Sequence, residues 1–114
     1  GIVFYANYLK FFERARTEWL RHRGHHQQAM VDATGTIFIV TDSRVRYLRP
    51  ARLDDELTVT VRPTEVGRAR MVVAQQALRG DTLLCDGEIG IACVDRGTFR
   101  PCRIPTDILD SIRP

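Results

Sequence analysis

Between residues 6 and 23, apolar side chains recur at steps of four, three and four, at Tyr8, Phe12, Ala15 and Trp19. That is the stripe of an amphipathic helix. Phe11 and Leu20 widen it, while Lys10, Arg14, Thr17 and Arg21 occupy the other side. Gly24 follows the last turn, where a left-handed residue commonly stops a helix. Residues 25–34 read as a polar connection, and beyond them the period changes to two. Residues 37–40 form a short apolar run, and residues 45–48 form a second stretch before Pro50. Residues 57–62 alternate apolar with polar, as a half-buried strand does. Residues 68–78 and 82–94 read as two further strands, with Gly87 and Gly90 marking bends or a bulge.

The breaks are short. Leu53-Asp54-Asp55 turns the chain into the alternating strand, Gly67 separates two strands, and Arg79-Gly80-Asp81 and Asp95-Arg96-Gly97 are hairpin signals. Short connections favour antiparallel neighbours. Residues 105–112 read as a short terminal helix capped by Thr106. One helix followed by a meander of strands defines an α+β domain, with the sheet curled round the helix to cover its aromatic stripe. Such a sheet leaves edge strands, and pairing them across a homodimer, or a dimer of dimers, removes that liability.

Composition narrows the function. At 114 residues and 44% hydrophobic, the chain (1–114) forms a single domain with a modest core. Net charge is +3, and sixteen of the seventeen basic residues are arginine, dispersed along the chain. This suits an anionic ligand, but without a dense basic run or a recognisable motif it does not suit nucleic acid. Cys85, Cys93 and Cys102 form no CxxC pair and no disulfide framework, which points to a reducing compartment and to small core residues. No apolar stretch is long enough to span a bilayer and no signal peptide opens the chain, so the cytoplasm is the expected location. Ser43 and Ser111 are the only serines, and neither sits in a nucleophile elbow. No phosphate or dinucleotide loop is present. His22, His25 and His26 cluster without suitably spaced acid or cysteine partners, so they read as solvated residues after a helix end, and no metal is expected.

What remains is the stretch Gly1-Ile2-Val3-Phe4-Tyr5-Ala6-Asn7-Tyr8, which leads into a helix carrying Phe11-Phe12-Glu13-Arg14-Ala15-Arg16-Thr17-Glu18. Further on stands Tyr47-Leu48-Arg49-Pro50-Ala51-Arg52-Leu53-Asp54-Asp55. Here the chain resembles the hotdog-fold acyl-CoA thioesterases, most closely the Tol–Pal-associated (YbgC-type) branch and next the 4-hydroxybenzoyl-CoA thioesterases. Their motif reads Asp-x-x-Gly-[Ile/Val]-Val-[aromatic]-[Tyr/His]-x-[Asn/Ser]-Tyr. The likeness runs in order over essentially all 114 residues. It implies a hotdog fold, with a long central helix wrapped by a curled antiparallel sheet. In the family, the catalytic carboxylate is the aspartate three positions before the glycine matching Gly1. The family's first strand and that aspartate are therefore expected ahead of Gly1, making 1–114 an N-terminally incomplete domain.

The resemblance also assigns roles. Tyr5 matches the position whose backbone N–H polarises the thioester carbonyl. Tyrosine there, where the Tol–Pal branch often has histidine, leans toward the hydroxybenzoyl pattern. Glu13 is the fallback carboxylate, because some hotdog branches place theirs on this helix; its plain reading is an exposed or salt-bridged side chain beside Arg16 and Thr17. Arg68 and Arg100 match arginines that hold the nucleotide end of CoA, and Arg70 is a third candidate. The expected activity is hydrolysis of acyl-CoA to free acid and CoA, without metal or redox cofactor. The alternatives are 4-hydroxybenzoyl-CoA hydrolysis and a non-catalytic module that binds acyl-CoA or acyl carrier protein.

Overall fold

The computed structural model describes residues 5–52 and 54–113, with the side chains of Tyr5 and Ala6 outside the description. Gly1 to Phe4 of the opening motif and Leu53 of the turn lie outside it as well. Helix α1 spans Tyr5–His22. Its stripe goes inward as the spacing predicts: Tyr8, Phe12 and Leu20 are buried, and Phe11 and Trp19 pack against the core from its margin. Gly24 ends it in the left-handed region, at φ 83°.

The chain then departs from the polar connection expected for residues 25–34. Helix α2 runs over Gln27–Thr34, and Gly35 closes it with a left-handed cap whose N–H donates to Val31 O. A single buried residue, Met30, anchors it. Its sequence therefore carries no stripe, and tertiary packing supplies what periodicity does not.

Strand β1 is one continuous element, Thr36–Tyr47, where two apolar stretches were expected. The polar residues between them are carried by pairing with β5, with a bulge between Val40 and Asp42 opposite Ile91 and Gly90. The irregularity expected at Gly90 thus lies in the facing strand. The alternating stretch 57–62 splits into β2 (Thr58–Val59) and β3 (Arg62–Val66), both paired with β4. The break falls where the Thr60 N–H donates to Gln76 O and the Thr60 carbonyl accepts from the Gln75 side chain.

Strands β4 (Arg70–Arg79) and β5 (Thr82–Asp95) form the hairpin expected at Gly80, which sits at φ 58°. The sheet is antiparallel and open, in the order β1-β5-β4-β2 with β3 also on β4. Met71, Val73, Gln75 and Ala77 of β4 join Cys85, Ile89, Ile91 and Cys93 of β5 on the buried face. Gly87 lies on that face under α1, where an added Cβ would stand 3.1 Å from Phe12 Cε2. Helix α3, Thr106–Ile112, seals the far end with Ile108, Leu109 and Ile112. Pro105 is its N-cap residue and no side chain caps it, so Thr106 opens the helix without capping it.

Candidate functional site

The first amides of an α-helix have no intrahelical acceptor and carry the positive end of its dipole. In α1 that end begins at Tyr5. Its surroundings are built by the far ends of three strands. Tyr8 is buried and its ring lies 5.9 Å from that of Tyr47, the last residue of β1, which pairs with Cys85 of β5. Burial raises the Tyr8 phenol, and its hydroxyl has no hydrogen-bond partner among the described residues. Burial also pushes the Cys85 thiol up to about 11, so it is neutral and no nucleophile near pH 7. Close by, Asp55 Oδ2 accepts from the Arg52 N–H at 2.9 Å and from the Arg79 guanidinium at 3.0 Å. The Arg52 amide first, then Arg79, holds this carboxyl below its ordinary value. The Asp54-Asp55 turn is thereby fastened to β4 beside the helix start.

Glu13 stands two turns further along, exposed, about 12 Å down the helix axis from the Tyr5 amide at 1.5 Å per residue. It lines a groove of about 290 Å³ with Arg16 and Thr17 on the helix side and Trp19, Leu20, Phe38, Val40, Met71 and Ile91 around them. Arg16 is half-buried and donates to Gln75 Oε1 at 2.9 Å; the Gln75 amide donates in turn to Phe12 O and Thr60 O. Burial lowers the Arg16 guanidinium. This network escaped the sequence reading. Its one signal was a glutamine on the apolar phase of β4.

Arg68, Arg70 and Arg100 come together at the opposite end of the sheet. Arg68 O accepts from the Ile104 N–H, Arg70 pairs with Ala92 of β5, and Arg100 O accepts from the Asp95 N–H. All three are exposed. Arg70 lies 3.7 Å from Asp42, while Arg68 and Arg100 are in no salt bridge among the described residues.

The histidine cluster is corrected in part. His22 and His26 are exposed, but His25 is half-buried, with Nε2 2.8 Å from Ser111 Oγ and Nδ1 4.0 Å from Asp107 Oδ2. Because the Ser111 hydroxyl donates to Ile108 O at 2.8 Å, it accepts from the imidazole Nε2–H. The three groups clasp α3 to the α1–α2 elbow. Among the described residues no group of three His, Cys, Asp or Glu side chains could hold a metal ion.

A long helix laid on an open antiparallel sheet, with Arg68, Arg70 and Arg100 exposed at the end of the sheet away from the start of α1, is the α+β arrangement of the hotdog fold. The description "Thioesterase superfamily" matches residues 1–86, and the chain belongs to that family. It is 36% identical over 108 residues to the acyl-CoA thioesterase YbgC of Haemophilus influenzae, covering 95% of this chain and 79% of that protein. It is 38% identical over 110 residues to the acyl-CoA thioester hydrolase YbgC of Escherichia coli O6:H1, covering 96% and 81%. Among solved structures, a probable thioesterase from Bartonella henselae superposes with a TM-score of 0.87 at 31% identity, over 92% of this chain and 86% of that one. These likenesses agree with the expected hotdog fold.

Proposed function

We propose that this chain hydrolyses acyl-CoA thioesters to free acid and CoA. The observation that carries the reading is the start of α1, an 18-residue helix opening at Tyr5 beside the buried Tyr8–Tyr47 pair, in a chain of the thioesterase superfamily. A thioester carbonyl is already electrophilic, so the protein has two tasks. It activates a nucleophile, and it stabilises the oxyanion that forms. In this reading the Tyr5 N–H donates to the carbonyl oxygen, and the helix dipole adds to that donation. The carboxylate that the family motif sets three positions ahead of the Gly1 position acts as base toward water or attacks directly. The tetrahedral intermediate collapses, the C–S bond breaks, and CoA leaves as the thiolate and takes up a proton; after direct attack, water then hydrolyses the acyl–carboxylate anhydride, which releases the free acid and restores the carboxylate. Glu13, a dozen ångströms away along α1, serves the groove rather than that carbonyl.

A homodimer belongs to the same proposal. β1 pairs with β5 on one edge and has no strand on its other edge among the described residues, with Val40 48% exposed there. Antiparallel pairing of two β1 edges closes this liability. It also brings the Asp95 end of the second copy beside Tyr47 and the α1 start of the first, since Thr36 pairs with Asp95 and Tyr47 with Cys85. The Arg68, Arg70 and Arg100 end of one subunit then serves the helix start of the other. Association with the Tol–Pal system is part of the proposal through the resemblance alone, and a cytoplasmic site of action through Cys85, Cys93 and Cys102, which form no disulfide framework.

The test is thiol release by the natural full-length chain from short-chain, long-chain and 4-hydroxybenzoyl-CoA, together with its mass by light scattering. Turnover is expected, with a mass of twice that of one full-length chain or a multiple of that. Preference among the three substrates separates the aliphatic from the aromatic reading. Binding of acyl-CoA without turnover would overturn the enzyme in favour of a carrier or sensor module.

A further inference from the structure

Beyond the end of β5 the chain turns back on itself, and this return brings two cysteines together. Val94 pairs with Pro101 in antiparallel register. One step away from the turn, the Cys102 N–H donates to Cys93 O at 2.8 Å; one step toward it, the Asp95 N–H donates to Arg100 O at 2.9 Å. The register therefore sets Cys93 directly opposite Cys102, and opposed residues of an antiparallel pair project from the same face. The turn between them is fastened. Asp95 Oδ1 accepts from the Gly97 and Thr98 N–H groups at 2.9 Å each, and the Arg96 N–H donates to Gly35 O at 2.9 Å. Cys93 is fully buried, and its N–H donates to Ala69 O, just ahead of β4. Cys102 is half-exposed and packs against the same core from its margin. Each thiol donates to a carbonyl of the return segment, Cys93 to Arg103 O at 3.8 Å and Cys102 to Arg100 O at 3.5 Å. Burial raises the Cys93 thiol, a hydrogen bond with Thr36 lowers it, and the neighbouring Cys102 adds to the rise. Cys85 lies about 26 Å back along β5, at about 3.3 Å per residue, and takes no part.

Opposed residues joined by such a hydrogen bond stand about 5.5 Å apart at Cα, inside the range of about 4.4–6.8 Å in which disulfides form. Their Cβ atoms sit wider than a relaxed disulfide prefers, which favours a bond that is readily reduced over a permanent one. We propose that Cys93 and Cys102 form a reversible dithiol–disulfide site oxidised by hydroperoxides. Cys102 reacts first, because solvent reaches it. Its thiolate attacks the peroxide: an S–O bond forms, the O–O bond breaks, and water or an alcohol leaves, so that Cys102 becomes a sulfenic acid. The Cys93 thiol then attacks that sulfur. The S–S bond forms, the S–O bond breaks, and water leaves with the Cys93 proton. The two thiols lose two electrons and the peroxide takes them up. Burial weakens Cys93 as a nucleophile, and its fixed place opposite Cys102 offsets that. A pair of this kind agrees with a reducing compartment, where disulfides are transient and redox-sensing rather than structural. The bond closes residues 93–102 into a ring and ties the entry to α3 to the end of β5.

The test is titration of the reduced full-length chain with hydrogen peroxide, read by intact mass and by peptide mapping without reductant. A stoichiometric dose should remove the mass of two hydrogens and yield a peptide linking Cys93 to Cys102. Alkylation of Cys102 should be lost with it and should return after treatment with a dithiol reductant. Amides of residues 96–104 should exchange with deuterium more slowly in the oxidised chain. In Cys93→Ala the same dose should add oxygen to Cys102 instead, and in Cys102→Ser it should leave Cys93 a thiol. Should a variant fail to fold, the wild-type map decides alone. If Cys102 gains oxygen, links to a second chain or stays reduced, and no Cys93–Cys102 peptide forms, the pair is overturned.

Discussion

Gln75 stands between Val73 and Ala77 on the buried phase of β4, fully covered, with both ends of its amide bonded to α1. Replacing it by leucine keeps the volume roughly constant but strips Arg16 of its acceptor and leaves the Thr60 carbonyl without a side-chain donor. An unmet buried polar group costs about 1–3 kcal/mol. We expect Gln75→Leu to lower the unfolding free energy by about that amount in urea titration, and a neutral result would mean that Arg16 finds water instead. The cysteines differ in the same physical terms. Cys85 is buried and its thiol is raised to about 11, Cys93 is raised by burial, and Cys102 is half-exposed. Under native conditions an alkylating reagent should label Cys102 alone, with Cys85 and Cys93 labelled only on unfolding; peptide mass mapping reads the order.

At the scale of elements, the helix–sheet contact depends on the absence of side chains. A Cβ at Gly87 meets Phe12 Cε2 at 3.1 Å, with the Arg44 carbonyl and Val45 Cγ2 both at 3.4 Å. Two of these neighbours are a packed ring and backbone, which cannot swing aside, so Gly87→Ala should cost about 1–3 kcal/mol as an overpacking change. A Cβ at Gly90 meets chiefly the Asp42 carboxylate, the far end of an exposed side chain that can turn away. Gly90→Ala should therefore cost clearly less, and paired denaturation curves that reverse this order would contradict the packing described. Two expectations failed for related reasons. Helix α2 forms although residues 27–34 bury a single side chain, and β1 runs unbroken through polar residues because β5 offers it a full-length partner.

For the whole molecule, the strongly engaged carboxylates share one sign. Asp55 is lowered by the Arg52 amide and Arg79, Asp86 by its two hydrogen bonds to Arg46, and Asp95 by the Thr98 and Gly97 amides. A carboxylate depressed in the fold stabilises it above the unfolded value near 3.9, and that stability is lost as the pH falls through the lower folded value. Stability should be level above about pH 5 and fall steeply below about pH 4. Asp55→Asn with Asp95→Asn should flatten the acid limb of a plot of urea midpoint against pH; an unchanged limb would mean that these bonds persist in the unfolded chain.

Local patterning determined the long helix, its stop at Gly24, the β4–β5 hairpin and the family motif, because a 3.6-residue stripe, a left-handed glycine and alternation are properties of neighbouring residues. What the sequence left undecided depends on groups far apart in the chain. Residue 75 is polar on an apolar phase because residues 12, 16 and 60 converge on it. Residue 25 turns inward because residue 111 arrives beside it. Arg68, Arg70 and Arg100 were grouped through the resemblance alone, and the pairing of β4 and the 100–104 segment with β5 brings them to one end of the sheet. That end lies a full strand length from Tyr5, because antiparallel ladders fix which termini meet.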